Sequence, residues 1–425
     1  MSSVEVLLIN AILYTFTLLY FSIRHKLSVG VLIWSLYTIS AWSSFLFVQQ
    51  PLYSSSLHMS EQTIMPCLYL YIILIIAMTP LMKLNKLENV DFSNKRLLKA
   101  IIIICTIIQL VFVIVDIPSM IKVLTSGTSM LNELRSTLYE NEGITLVTEN
   151  PLLNRISLLF SGMRILSTGL SVITFFTFKD NRKLINLFAI SALLNNIRLI
   201  VTQVGRGEMV FVFLIYICTI YLVRDCLSAK SKRLILIYGL PIVAVGAVFF
   251  WAITVSRFGQ NSGYFMYKYL GEPINNFNGI LFKNIKGTTN GRAYFSLIYR
   301  YLLGGTAFSS AYDKWDLISE MTGIRGDIFY TWVGGLIIEF GKIAPFFVAI
   351  VLNRMLAKLT SLKKHYMGDI IVLTFFMNFF TRGIFIFPTQ SFEGMLMIVY
   401  TILLYFLFRI RKSEDGRFLY RIPRP

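Results

Sequence analysis

The residues with the clearest chemical potential in this chain are arginines at the edges of apolar segments. Arg164 lies about nine residues into one such segment, Arg198 lies near the end of the next, and Arg206 occupies the turn that follows. A guanidinium stays charged and presents a planar fork of donors that matches phosphate oxygens. Because a charge beside hydrocarbon is costly, such arginines need a partner or a polar cavity. Their positions therefore predict an anion site.

The later part of the chain extends this set with Arg257, Arg292, Arg300 and Arg382. Two glycines flank Arg206 and allow a sharp turn that can bring it close to a ligand. Each arginine also has a simpler explanation. Arginines near segment ends can extend to lipid headgroups, Arg198 can pair with Glu208 or Glu393, and the later ones can be solvated surface. The cluster as a whole favours an anion site more strongly than any single member does.

One carboxylate, Glu339, stands in an unusual setting between the apolar "GGLII" and the dipeptide "FG". A carboxylate in apolar surroundings can have a raised pKa and serve as a general base. The alternative is that Glu339 is a structural partner of an arginine. The four cysteines and three histidines are scattered along the chain, so the sequence predicts no metal site and no disulfide framework.

These residues must be positioned by a membrane-embedded helical fold. The chain has 425 residues, 56% of them hydrophobic and 15% charged, and its mean hydropathy is +0.67. Apolar segments of roughly 18 residues recur from end to end, each long enough to cross a bilayer. The sequence predicts an all-α polytopic membrane protein, a single domain over 1–425, with eleven spans near 4–23, 27–48, 64–82, 97–116, 156–178, 184–203, 207–223, 233–254, 343–357, 369–387 and 391–408.

The loop charges predict an orientation. Arg24, His25 and Lys26 follow the first apolar segment, and no basic residue precedes it. This order places the N-terminus outside and the C-terminus in the cytoplasm, because positive residues stay inside. The loops that alternate with these spans on the inner side carry a large excess of Lys and Arg, so the net charge of +18 is explained by topology without a nucleic-acid partner.

Two predicted outer loops are long. The first covers about 117–155, and the second covers about 255–342. Loops of such length inside a compact protein are usually functional. The second is rich in Tyr, Phe, Asn and Gly, and its aromatics occur in amphipathic stretches that predict short helices at the membrane surface.

The stretches "VGRGEMVF", "TVSRFG" and "FYTWVGGLIIEFG", together with the many spans and the long late outer loop, resemble the Wzy-type O-antigen and capsule polymerases. The resemblance implies a GT-C-like, metal-independent glycosyltransferase without a cofactor in the bacterial cytoplasmic (inner) membrane. Such an enzyme transfers a glycan from undecaprenyl diphosphate to the terminal sugar hydroxyl of another lipid-linked repeat unit, in capsule or lipopolysaccharide synthesis.

In that reaction, catalytic roles are expected for Glu339, Arg206 and Arg257. Substrate-binding roles are expected for Arg164, Arg198, Arg292, Arg300, Arg382, Tyr294 and Trp332. The two aromatic residues can be platforms for sugar rings or interfacial anchors. The expected partners are undecaprenyl-diphosphate-linked oligosaccharides, membrane lipids and a chain-length regulator protein. An O-antigen ligase and a lipid-linked oligosaccharide flippase are the alternative functions.

Overall fold

The computed structural model describes residues 1–53, 60–84, 87, 90–91, 94–125, 151–177, 181–202, 206–226, 229, 233, 262–305, 308, 310–412 and 418–420. Over these residues the fold is all-helical, as predicted, apart from two short strand pairs. Helices α1 to α7 are Ser3–His25, Val29–Val48, Ile64–Lys83, Lys95–Thr125, Pro151–Thr177, Arg182–Thr202 and Arg206–Leu222. Helices α8 to α14 are Ser262–Asn275, Ser296–Leu303, Ala311–Thr322, Trp332–Phe340, Ala344–Thr360, Met367–Arg382 and Phe392–Leu407.

Six of these helices, α1 to α6, are long and apolar enough to cross a bilayer. Helices α7, α12, α13 and α14 also coincide with predicted spans, but they are only 16 or 17 residues long. The predicted span 233–254 lies almost wholly outside the described residues. The six long helices agree with a multi-pass membrane protein, and the number of eleven spans stays a prediction.

Some helix boundaries differ from those predicted. Helix α4 continues past the predicted end at 116 to Thr125, because loss of apolarity does not by itself end a helix. Helix α13 ends at Arg382, before the predicted 387, and residues 383–391 form turns. Gly383 and Pro388 lie in this stretch, and both residue types favour turns over helix. The early end of α13 leaves Arg382 at a helix terminus.

Segments predicted to be cytoplasmic meet at one end of the helix bundle. Strand β1 (Val90–Asp91) pairs in parallel with β2 (His365–Tyr366). Ser28 caps the start of α2, and its hydroxyl donates to the carbonyl oxygen of Met82 at 2.7 Å. These contacts join the loops after α1, α3 and α12.

Segments predicted to be external meet at another place. The backbone N–H of Gln62 donates to Ser3 Oγ at 3.0 Å, and that of Thr63 donates to Asn278 Oδ1 at 2.9 Å. The start of α1 and the loop before α3 thus contact the long segment after α7. The contacts sort the loops as the charge pattern predicts, and which end faces the cytoplasm stays a prediction from charge.

The segment 262–342 contains short helices, in agreement with the predicted helical character of this region. Helix α8 continues as one stretch of π-helix, Asn276–Phe282. Helix α8 packs closely along α2: a Cβ added to Gly271 would lie only 2.5 Å from the backbone of Ser44. The hydroxyl of Ser40 donates to the Leu270 carbonyl at 2.6 Å. This part of the segment is therefore joined to α2, one of the helices that are long and apolar enough to cross a bilayer.

A second close helix contact sets the position of α5. A Cβ added to Gly162 would lie 2.5 Å from Leu396 Cβ and 2.7 Å from the backbone nitrogen of Met397 on α14. Small residues at such crossings let the two backbones approach closely, as is common between membrane helices. The contact lies half a turn before Arg164 and brings that residue to the start of α14.

Candidate anion-binding site

Arginines and glutamates from four helices meet in one place, here called the Arg–Glu cluster: Arg164 on α5, Glu208 on α7, Arg382 on α13 and Glu393 on α14. Arg164 donates from Nε to Glu393 at 3.1 Å and from Nη2 to Glu208 at 3.1 Å. Arg382 donates from Nη2 to the same Glu208 at 2.5 Å. The remaining terminal nitrogen of Arg164, Nη1, lies 3.3 Å from Asn196 Oδ1 on α6. One glutamate thus joins two arginines.

The local structure explains how these side chains come together. Glu208 and Glu393 lie in the first turns of α7 and α14, where the positive end of the helix dipole favours a carboxylate. Ser391 caps α14, because its hydroxyl accepts the N–H of Gly394 at 3.2 Å. Arg382 is the last residue of α13. The cluster is therefore assembled mainly from helix termini.

The cluster is layered. The side chains of Arg164 and Arg382 are only 4% and 7% exposed, whereas those of Glu208 and Glu393 are 21% and 23% exposed. The arginines thus lie deeper than the glutamates. Nε of Arg382 is buried and has no hydrogen-bond partner among the described residues, and its guanidinium carbon lies 5.3 Å from the ring centroid of Phe211. A buried donor of this kind is costly unless a ligand or water satisfies it.

Arg198 belongs to a different pair. Its Nη1 donates to Asp116 Oδ2 at 2.7 Å, and both side chains are almost fully buried. Its guanidinium carbon lies 5.4 Å from the Phe112 ring centroid on the same helix, α4. Arg198 does form an ion pair, but the predicted partners Glu208 and Glu393 are wrong, because those two glutamates bind Arg164 and Arg382. Sequence reasoning missed Asp116, although a carboxylate at the end of an apolar segment is a usable signal.

Glu339 lies away from any arginine in its described contacts and holds a turn. Its carboxylate accepts the Thr289 hydroxyl at 2.6 Å, the Gly291 N–H at 2.6 Å and the N–H of Tyr294. Gly291 has φ of +83°, a backbone conformation that glycine adopts without strain. Burial raises the pKa of Glu339, and the hydroxyl and backbone donors oppose that rise. Because three donors already occupy the Glu339 carboxylate, a structural role is favoured. Its partners are groups of the 289–294 turn and not the arginine that was expected.

Three other predicted binding residues differ in how far they are exposed to solvent: Tyr294 and Trp332 are buried, and Arg292 is exposed. Tyr294 is buried with its ring centroid 6.0 Å from that of Phe387. Trp332 is fully buried, and its backbone N–H donates to the Gly383 carbonyl at 2.8 Å, next to Arg382. Arg292 is exposed and lies 5.4 Å from the ring centroid of Tyr299. Of these three, only Trp332 is brought beside the Arg–Glu cluster, through the backbone of the turn after α13.

The structure does not describe the side chains of three residues that the sequence predicts to be functional. Arg257 lies outside the described residues, as do the side chains of Arg206 and Arg300. Arg206 is nevertheless the first residue of α7, two positions before Glu208. Among the residues that the structure describes, no group of three or more His, Cys, Asp or Glu side chains is arranged to hold a metal ion.

Comparisons with protein-family models, with curated proteins and with solved structures found no match for this chain.

Proposed function

We propose that this protein is a glycosyltransferase of the bacterial cytoplasmic membrane that polymerises lipid-linked repeat units. It transfers a glycan from undecaprenyl diphosphate to the terminal sugar hydroxyl of another unit on the outer face. The observation that carries the proposal is the Arg–Glu cluster, in which two buried arginines converge and Arg382 Nε lacks a partner within the described residues. A diphosphate attached to a membrane lipid is an anion that would approach such a site beside apolar helices.

The cluster suits the chemistry of this reaction. The acceptor oxygen bonds to the anomeric carbon of the donor glycan, and the bond from that carbon to the diphosphate oxygen breaks. The electron pair stays on the phosphate, where negative charge develops. Positioned guanidinium donors in a site of low dielectric stabilise that charge, which is usually the largest single contribution to catalysis.

The hydroxyl proton must pass to a general base. Glu339 is the candidate that the sequence predicts, but its contacts with Thr289, Gly291 and Tyr294 support its role as the acceptor that holds the 289–294 turn. In this proposal the proton passes instead to Glu272 on α8, a buried carboxylate whose pKa is raised by burial. In the proposed site, Arg164 and Arg382 would bind the diphosphate of the donor, and Arg206 and Arg257 are further expected contributors. A chain-length regulator protein remains the expected partner.

The test of the function is the glycan made by a strain that lacks this protein. We expect single repeat units in place of polymer, restored to polymer by the wild-type chain. Polymerised glycan that stays on undecaprenyl diphosphate would indicate a ligase. Repeat units trapped on the cytoplasmic face would indicate a flippase, and either result contradicts the polymerase.

The orientation has its own test. A cysteine placed at Ser262 is expected to react with a membrane-impermeant thiol reagent in intact cells. Native Cys226 is exposed in the loop after α7 and is expected to react only after permeabilisation. Background labelling should be low because the other native cysteines are buried: Cys67, Cys105 and Cys218. Partial burial and Asp225 raise the pKa of Cys226, so its labelling is expected to be slow at neutral pH and to become faster as the pH is raised, because the thiolate is the reactive form. Labelling of Cys226 but not position 262 in intact cells would reverse the orientation.

A further inference from the structure

The Arg–Glu cluster is electrically balanced before any ligand arrives. Two arginines, Arg164 and Arg382, face two glutamates, Glu208 and Glu393. Arg164 uses all three guanidinium nitrogens on Glu393, Glu208 and Asn196. Of the two arginines in the cluster, Arg382 is the one with a buried nitrogen, Nε, that has no hydrogen-bond partner among the described residues. A ligand with several anionic oxygens can therefore gain the N–H groups of Arg164 that bind Glu208 and Glu393 only if a carboxylate leaves.

The difference in exposure between the glutamates and the arginines indicates which side chains would move when a diphosphate binds. The glutamate side chains are about a fifth exposed, and the arginine side chains are almost fully buried. A diphosphate that arrives from the open side meets the carboxylates first, and like charges at contact distance repel strongly in a partly buried site. A displaced glutamate can turn toward the exposed side, so its charge regains solvent without crossing the protein interior. A displaced arginine would have no such route.

We propose that Glu208 and Glu393 hold Arg164 and Arg382 in a closed state and that a diphosphate group displaces them, so that the two carboxylates compete with the ligand for the same guanidinium nitrogens. The identity of the ligand rests on the proposed function, and the competition itself rests on the contacts of the cluster. Partly exposed glutamates at the starts of α7 and α14 are the movable members, and the buried arginines are the fixed ones. Arg382 Nε, which is buried behind the glutamates, becomes a further donor to the phosphate once a glutamate has moved.

This competition predicts an unusual sign. Removing a glutamate charge should strengthen anion binding, whereas removing a residue that merely builds the site should weaken it. We expect Glu393→Gln to bind inorganic pyrophosphate about ten-fold more tightly than the wild type, because one charge-assisted contact no longer has to be broken. Glu393→Asp retains the charge and is expected to stay within about three-fold of the wild type.

The measurement is titration of the purified full-length protein, in uncharged detergent, with pyrophosphate, read by calorimetry. Asp327→Asn is the matched control, because Asp327 is also paired with an arginine, Arg325, but in an exposed pair outside the cluster. It is expected to leave pyrophosphate affinity unchanged. Unchanged or weaker binding by Glu393→Gln, with a melting temperature near that of the wild type, overturns the proposal. If that variant is unstable, Glu208→Gln is titrated in its place with the same criterion.

A second arm separates the sources of phosphate. In nanodiscs, undecaprenyl diphosphate is expected to displace pyrophosphate, and phosphatidylglycerol at the same mole fraction is not. Displacement by phosphatidylglycerol to the same extent would assign the site to ordinary headgroups and overturn the lipid-linked diphosphate as its ligand. Tighter binding by Glu393→Gln in a protein that fails the glycan test would leave the competition standing and remove the polymerase function. Normal polymerisation with no gain in affinity would do the reverse.

Discussion

Replacing Arg382 by alanine is expected to lower the rate of polymerisation by the purified protein by about 100-fold or more. Arg382 is buried at the end of α13, and its Nε is free of partners among the described residues while Nη2 binds Glu208. Loss of one preorganised donor to a developing oxyanion typically costs about 10²–10³-fold in rate. Arg382→Lys is expected to recover only part of the activity, because lysine keeps the charge but cannot present a planar fork.

The fold is expected to survive the loss of Arg382. Glu208 keeps its contact with Arg164 at 3.1 Å and is partly exposed, so it is not left as a buried unpaired charge. Polymerisation with lipid-linked donor and thermal unfolding are measured in parallel. Arg354→Ala, which removes an exposed arginine from α12, serves as the control for lost positive charge. Wild-type turnover in Arg382→Ala would take this residue out of the site, and the assignment of the diphosphate to the cluster would fall with it.

Replacing Glu339 by alanine is expected to destabilise the protein by about 3 kcal/mol or more. Three donors lose their acceptor inside a buried site: the Thr289 hydroxyl and the N–H groups of Gly291 and Tyr294. Each orphaned buried donor typically costs about 1–3 kcal/mol. The melting temperature in detergent should fall, and limited proteolysis should cut first near the 289–294 turn. Glu320→Gln, at an exposed acid on α10, is the control and should leave both readings unchanged.

Glu339→Gln separates the structural role from the catalytic one. Glutamine retains one acceptor oxygen, but its amide group presents donors to donors, so the turn should loosen. We expect the melting temperature, pyrophosphate binding and turnover to fall together. A glutamine variant with wild-type stability and binding but a 10²–10⁴-fold loss of rate, the typical effect of losing a general base, would instead establish Glu339 as the proton acceptor.

Much of the helical layout could be predicted because helix identity depends on nearby residues. The apolar segments that become α1 to α6 are long enough to be recognised by composition alone. Boundaries were less predictable, since α4 extends to Thr125 where polarity had suggested a loop. The short helices of the segment 262–342 follow from its amphipathic stretches, but the packing of α8 along α2 does not, because it depends on Gly271 meeting the Ser44 backbone.

The candidate site divides in the same way. Arg164, Arg198 and Arg382 could be selected from the sequence because charge in an apolar segment is rare and costly whatever the fold. Their partners could not be assigned. Glu393 lies 229 positions from Arg164, and Asp116 lies 82 positions from Arg198. Several carboxylates were available to each arginine, and nothing local favours one of them.

The sequence by itself thus determined that the chain forms apolar helices and that buried arginines require compensation, since both follow from the cost of exposing polar groups and charges to hydrocarbon. Only the tertiary structure decided which compensation is used. The close crossing at Gly162 brings Arg164 to Glu393, and the end of α13 places Arg382 against Glu208. The physical reason is range: hydrophobic transfer acts on each segment separately, whereas an ion pair needs two side chains within about 4 Å, and helix packing alone sets that distance.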